Sequence, residues 1–408
     1  MNPLASLLLL LILGMALGCD PVAEPPSSVP DSALAIPVVD ASAHDPSGIR
    51  EIAPGVLSLF ASSHPEFGGR LRQFVLDTNE PEPAWTLVEH WPTLTPRADM
   101  AWHVAWMEAY GYDADTQIEH TELAAVAPTL VDAGTVYFHL YNPPGRAWAT
   151  ANGEEPAMFA ALYRATAMGT YPTQIWSMDP VPVYYSDDTT WARGGPRAVD
   201  AQVWDDADGQ RYLTFGSWDP AQRNVIAIAD LDEATGRIVG FDADQPGYYP
   251  EGGHPSIHPI ATFGEGAYSF YRDGYYYLFL NLGGCCSGLD STYEIVVGRS
   301  RSVYGPYVDD RGHSFMGRYE NRDGPNTEVF PGRSVLAGLR GQTRFIGPGH
   351  AGLFQPEPNP QAESPLCLSF HFYDGEDDGR PKSATRPLAF DGEGWPYVVA
   401  DEACTLGV

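Results

Sequence analysis

The chain has 408 residues, with 53 acidic and 23 basic side chains and a formal net charge of −30. Its single lysine is Lys382, so nearly every cation is arginine. Such a surface repels nucleic acid and anionic membranes, and a neutral ligand suits it better than an acidic polymer.

The first element is a leader. Residues 4–17 form an apolar segment too short for a membrane span, and they read as a signal peptide. The run ends in Ala16-Leu17-Gly18-Cys19, which resembles a bacterial lipobox, where the cysteine receives lipid and becomes the mature N-terminus. The sequence departs from that pattern in having no Lys or Arg before the apolar run and in its Ala-Leu-Gly order. The expectation is a lipoprotein-type signal over 1–19 and a Pro/Ser-rich tether over 20–41. The protein would then be exported and anchored through Cys19, as a periplasmic or cell-surface lipoprotein. An ordinary secretory signal is the alternative.

Residues 42–408 carry the fold. Aromatics make up 12% of the chain, with 42 Gly and 37 Pro, which favours many short strands joined by turns. Five segments share one plan: a short apolar strand, a polar turn, then a second strand rich in Tyr, Phe and Leu. They begin at Ala43, Val126, Ala198, Gly264 and Gly347. Taking Asp45, Pro128, Asp200, Glu265 and His350 as equivalent points, the intervals are 83, 72, 65 and 85 residues. A unit of about 76 residues suits four strands with loops, so the expected fold is all-β, a five-bladed β-propeller. A β-sandwich with accidental internal similarity is the competing reading.

In a propeller the first strand of each blade lines the axis. Asp45 in "HDPS", Asp200 in "AVDA" and Glu265 in "GEGAY" then meet in one wet cleft, which explains a carboxylate on an otherwise buried strand. An Asp and a Glu on opposite sides of a glycosidic bond supply base and acid, and an inverting enzyme sets them roughly 6.5–9.5 Å apart. A third carboxylate raises the acid's pKa by like-charge repulsion. Four cysteines follow Cys19, and an exported setting lets disulfides persist. Of the three possible pairings, Cys367–Cys404 is favoured because it pins the C-terminal tail, whereas bridging the neighbours Cys285 and Cys286 needs a strained ring. Tyr275, Tyr276 and Tyr277 read as packing between blades.

The run "GEGAYSFYRDGYYYLFLNLGGCCSGLDSTYEIVVGRS" (264–300) resembles glycoside hydrolase family 43, and within it the arabinanases. So do "HDPS", "RAVDAQVWDDADGQRYLTFGSW" (197–218), "GPYVDDRG" (305–312), "RFIGPGHAGLF" (344–354) and "FDGEGWP" (390–396). The resemblance implies a five-bladed propeller that hydrolyses α-1,5-linked arabinan with inversion. It implies Asp45 as general base, Glu265 as general acid and Asp200 as the carboxylate that tunes the acid and positions the sugar. His350 in "GPGHAG" would help hold a hydrated calcium ion near the axis, with no organic cofactor; read from the residues alone it is an interior histidine. Ser217 and Trp218 would line the sugar cleft. Cys286, with Cys285, matches a vicinal pair seen in arabinanases, either touching sugar or forming small buried thiols at the cavity floor.

Blade II departs from the family. Its "AAVAPTLV" (124–131) keeps Ala-Pro but loses the Trp and Asp of the usual Trp-Ala-Pro-Asp run. Trp102 and Trp106, four apart, share one helical face and either replace that platform or cover the blade edge. The insertion at 142–160 raises the same question of an open groove against a blocked pocket. The implied function is a monomeric endo-arabinanase acting on a neutral pentose polysaccharide. The alternatives are an exo-acting arabinofuranosidase or β-xylosidase of the same family, or a non-catalytic glycan-binding propeller.

Overall fold

A computed structural model of the chain describes residues 34–406 apart from 63–70, 89–100, 110–123, 143–158, 188–189, 191–192, 217–224, 243–249, 251, 318, 321–327, 338–343, 356–365 and 400–401. The leader with Cys19, Ser217, Trp218 and most of the insertion at 142–160 lie outside the described residues.

Five antiparallel sheets follow one another along the chain, each with an inner strand succeeded by its sequence neighbours. The inner strands are Arg50–Ala53, Ala124–Asp132, Gln202–Asp205, Glu265–Arg272 and Phe345–Phe354. The second strands, Val56–Ala61, Thr135–Asn142, Arg211–Phe215, Tyr275–Leu282 and Leu366–Asp374, are the aromatic runs of the sequence repeat. In blades II and III the third strand takes two short strands on its outer edge instead of one.

Apolar burial holds the ring together, and it does so between blades. Phe60 and Leu71 of blade I pack with Phe138 and Tyr163 of blade II, and Leu162 of blade II with Leu213 and Phe215 of blade III. Ile228 of blade III meets Leu278 of blade IV, Phe279 of blade IV meets Phe370 of blade V, and Phe354 of blade V meets Leu59 of blade I. Each such side chain contributes about 1.5–3 kcal/mol when fully removed from water. No blade buries both its faces alone, so the five must close. The closing segment runs along blade V: Leu34–Ala35 pairs with Thr405–Leu406, and the Val39 amide donates to the Ser383 carbonyl at 2.9 Å. Cys367 and Cys404 are disulfide-bonded as the sequence suggested, which ties the tail to blade V.

A second ring runs round the axis in hydrogen bonds. Asp45, Ala127, Asp200 and His350 all have left-handed backbone, with φ of 46°, 46°, 53° and 55°, and in blade IV that place belongs to Gly266 at 56°. Each donates its amide to a side chain of the preceding blade. The acceptors are His371 Nδ1 for Asp45 (3.3 Å), Ser62 Oγ for Ala127 (2.9 Å) and His139 Nδ1 for Asp200 (3.2 Å). Asp200 Oδ2 accepts from Gly266 (3.1 Å), and Asn281 Oδ1 from His350 (3.2 Å). Left-handed backbone is costly for residues with a Cβ and persists only where surroundings over-determine it; here a closed ring does. In blade III the second strand is followed by Gly216, which has no side chain, so Asp200 itself takes the amide of blade IV.

This ring corrects the sequence register at two points. Blade II's equivalent residue is Ala127, not Pro128, and Glu265 precedes the equivalent Gly266 by one. Gly266 is required: a Cβ there would stand 2.1 Å from Asn281 Nδ2 and 3.4 Å from His350 Nδ1. The helix expected around Trp102 spans Ala101–Ala109, and the Trp102 ring packs on Tyr185 at 5.3 Å. Its side chain therefore covers blade II, while that of Trp106 lies outside the described residues. The three tyrosines pack between blades as expected: Tyr277 donates to the Gly394 carbonyl at 2.6 Å, and Tyr276 meets Trp204 at 6.2 Å.

Candidate active site

The ring collects Asp45, Asp200, Glu265 and His350 at one end of the axis. Asp45 Oδ2 accepts from the Ser62 hydroxyl at 2.7 Å and lies 2.8 Å from His44 Nδ1. Its Oδ1 stands 3.5 Å from His371 Nδ1 and 3.6 Å from His350 Nδ1. Burial by itself would push this carboxyl up. The three histidines around it, His44, His350 and His371, outweigh burial and hold Asp45 well below the usual carboxylate range.

Asp200 is in the opposite situation. Burial pushes its pKa well above the ordinary value, and the charges of Glu265 and Asp45 push it further, against one backbone amide from Gly266. Two carboxyls in one cavity cannot both ionise cheaply, so Glu265 adds to burial in favouring the protonated form of Asp200. Glu265 Oε1 accepts from the Tyr293 hydroxyl. Tyr293 is itself buried against His371, and burial together with Glu265 pushes its own pKa well up, so it stays a neutral donor.

Histidines complete the setting. Burial pushes His139 and His371 down to about 3, so both are neutral rings whose Nδ1 can accept the amides of the axial ring. His350 is likewise lowered by burial, despite Asp45 beside it. The Tyr373 hydroxyl accepts the Cys286 amide at 2.7 Å and lies 2.8 Å from His44 Nε2, while His44 Nδ1 faces Asp45.

The cysteine expectation needs correction. Cys285 and Cys286 are not small buried thiols but a disulfide between neighbours, with Cys286 exposed. Cys286 takes left-handed backbone, φ 66°, and donates its amide to the Tyr373 hydroxyl at 2.7 Å. Its Sγ lies 3.9 Å from His44 Nε2, beside the acids rather than beneath them. Ser217 and Trp218 fall outside the described residues, so their expected place in the cleft is not described.

Sequence reasoning missed His44, Tyr293 and the ring acceptors His139, Asn281 and His371. A signal was present: each acceptor interrupts an apolar second strand, in "YFHLYN", "LFLNLG" and "SFHFYDG", where a polar group must be satisfied to be buried. A cavity of about 950 Å³ at the other end of the axis contains none of the acids; Arg50, Trp204, Asp205 and Tyr271 are among its walls.

A family model for "Glycosyl hydrolases family 43" matches residues 104–396, more than two thirds of the chain. The chain belongs to glycosyl hydrolase family 43. Among its relatives is the extracellular endo-α-(1→5)-L-arabinanase 1 of Bacillus subtilis, 30% identical over 200 residues, which covers 49% of this chain and 50% of that one. The extracellular exo-α-(1→5)-L-arabinofuranosidase ArbA of Cellvibrio japonicus is 28% identical over 285 residues, covering 62% and 70%. The match to the first of these thus spans about half of that relative's length. Among solved structures, an exo-1,5-α-L-arabinanase from a bovine ruminal metagenomic library superposes with a TM-score of 0.59 at 23% identity, covering 88% of this chain and 98% of its own. The Cellvibrio cellulosa α-L-arabinanase complexed with arabinohexaose gives 0.59 at 20% identity, covering 88% and 95%. These two superpositions place the family 43 chain in the propeller fold.

Proposed function

We propose that this family 43 protein hydrolyses α-1,5-linked arabinan with inversion of configuration. The observation that carries the reading is the meeting of Asp45, Asp200 and Glu265, drawn from positions 220 residues apart, around one end of the axis with their charges acting on one another. Asp45, ionised and held by Ser62 and His44, takes a proton from the attacking water. Glu265 gives a proton to the leaving glycosidic oxygen. Asp200 keeps that proton available at neutral pH and anchors blade IV through Gly266. Tyr293 holds the Glu265 carboxyl in one orientation. The two carboxyls flank opposite sides of the linkage, leaving room for water. Cys286, exposed beside His44, contacts the sugar, as do Ser217 and Trp218.

A hydrated calcium ion belongs to the same proposal, with His350 as its one protein ligand and water completing its shell. A ring kept neutral by burial can ligate, and the surrounding acids suit a cation, although calcium prefers oxygen donors. When bound, such an ion supplies positive charge among the carboxylates. The protein acts outside the cytoplasm, anchored through Cys19, as a monomer on pectin-type arabinan side chains.

Debranched arabinan incubated with the protein tests the reading. Mixed oligomers are expected from an open cleft; arabinose alone would assign exo action, the activity named for the Cellvibrio japonicus relative. Tight binding with no reducing ends from any pentose polymer would overturn catalysis and leave a glycan-binding propeller, a function that has no need of three retained acids.

A further inference from the structure

The loop after the second strand of blade IV places a disulfide-bonded pair of neighbouring cysteines against a histidine. The Sγ atoms of Cys285 and Cys286 and a ring nitrogen of His44 all lie within 4.8 Å of one another. Cys286 Sγ is 3.9 Å from His44 Nε2, and Cys286 is exposed to solvent. Ligands about 2.0–2.3 Å from a tetrahedral zinc ion stand about 3.3–3.8 Å apart. The 3.9 Å between Cys286 Sγ and His44 Nε2 is just outside that range, so a small inward shift there and separation of the two bonded sulfurs would form the site. His44 Nε2 is also the right nitrogen. Nε2 faces the Tyr373 hydroxyl at 2.8 Å while Nδ1 lies 2.8 Å from Asp45 Oδ2, so a metal at Nε2 would take the place of the hydroxyl contact and leave the one with Asp45 in place.

We propose that the Cys285–Cys286 bridge masks a soft-metal site, in which the reduced pair and His44 Nε2 bind one zinc-class cation beside Asp45. A phosphine with one water, or a dithiol, supplies the two electrons and the two thiol hydrogens; the phosphine takes the water's oxygen to become the phosphine oxide, the dithiol becomes a disulfide, and two thiols are left on the chain. Each thiol releases a proton on binding, so two thiolates and a neutral imidazole hold the ion, with water in the fourth position. The oxidised bridge offers no thiolate. The bound ion occupies the edge of the cleft where sugar is proposed to lie and blocks hydrolysis; that last consequence alone rests on the proposed function.

Metal binding is therefore read without substrate. The full chain, untreated or reduced with a phosphine and then freed of it, is dialysed against zinc, and cobalt(II) serves as a spectroscopic replacement. Reduced chain is expected to bind one ion per molecule and to show a thiolate-to-cobalt charge-transfer band, with no binding in the oxidised chain. The double variant Cys285→Ser, Cys286→Ser, which keeps the buried Cys367–Cys404 bridge, loses the site. His44→Gln weakens zinc at least about tenfold, since even outer-shell partners of a metal are worth that much. In the unmodified reduced chain, zinc slows alkylation mapped to Cys285 and Cys286, a result independent of whether the variants fold. Equal binding by oxidised and reduced chain, alkylation unaffected by zinc, or unchanged affinity in His44→Gln overturns the proposal.

Discussion

Asp45 and Asp200 occupy the same place in blades I and III. Both are left-handed, both donate their amides to a buried histidine of the preceding blade, and both are half-buried. Yet the first is held well below the ordinary carboxylate pKa and the second pushed well above it. Backbone geometry does not separate them; neighbours do. Asp45 looks onto His44, His350 and the Ser62 hydroxyl, whereas Asp200 looks onto Glu265. A repeated frame thus lowers one carboxyl's pKa and raises the other's, the split in environment on which the proposed acid–base roles rest.

The harshest way to break this division is to remove either end of it. Glu265→Gln and Asp45→Asn are each expected to lower the arabinan turnover by about 10²–10⁴-fold with the fold intact, measured as reducing ends against circular dichroism. Asp200→Asn sharpens the contrast. Its loss of charge removes the repulsion that keeps the proton on the pair, so the alkaline limb of the rate profile moves to lower pH, and turnover at neutral pH falls by about 10²-fold. An alkaline limb that stays in place would separate Asp200 from proton retention. Gly266→Ala disturbs the frame that both acids share, since its Cβ runs into Asn281; about tenfold loss of activity is expected with a lowered Tm, read by calorimetry. The smallest change is Ser62→Ala, which leaves the buried Ala127 amide without its acceptor. It should cost about 1–3 kcal/mol in denaturant unfolding and only a few-fold in rate.

Much of this was legible in the sequence because a propeller writes its repeat into the chain. The aromatic second strands gave the five blades, and the acids before the inner strands gave the cleft. The register at Pro128 and Glu265 was off by one because the decisive feature is a backbone twist, and Ala127 and Gly266 carry no chemical mark of it. His44 and Tyr293 stayed hidden for another reason. One adjoins Asp45 and the other lies 28 residues beyond Glu265, and only closure of the ring shows which of the many polar residues touch the acids. The bridge between Cys285 and Cys286 runs against the expectation that neighbouring cysteines stay unbridged.

The most direct test follows the anomeric proton of the first product by NMR while the protein cleaves an α-1,5-linked arabino-oligosaccharide. Asp45 acting through water and Glu265 through the leaving oxygen predict that the β-anomer appears first and then mutarotates. Initial appearance of the α-anomer would mean attack by an enzyme carboxylate instead of water, and would contradict the assignment of the two acids.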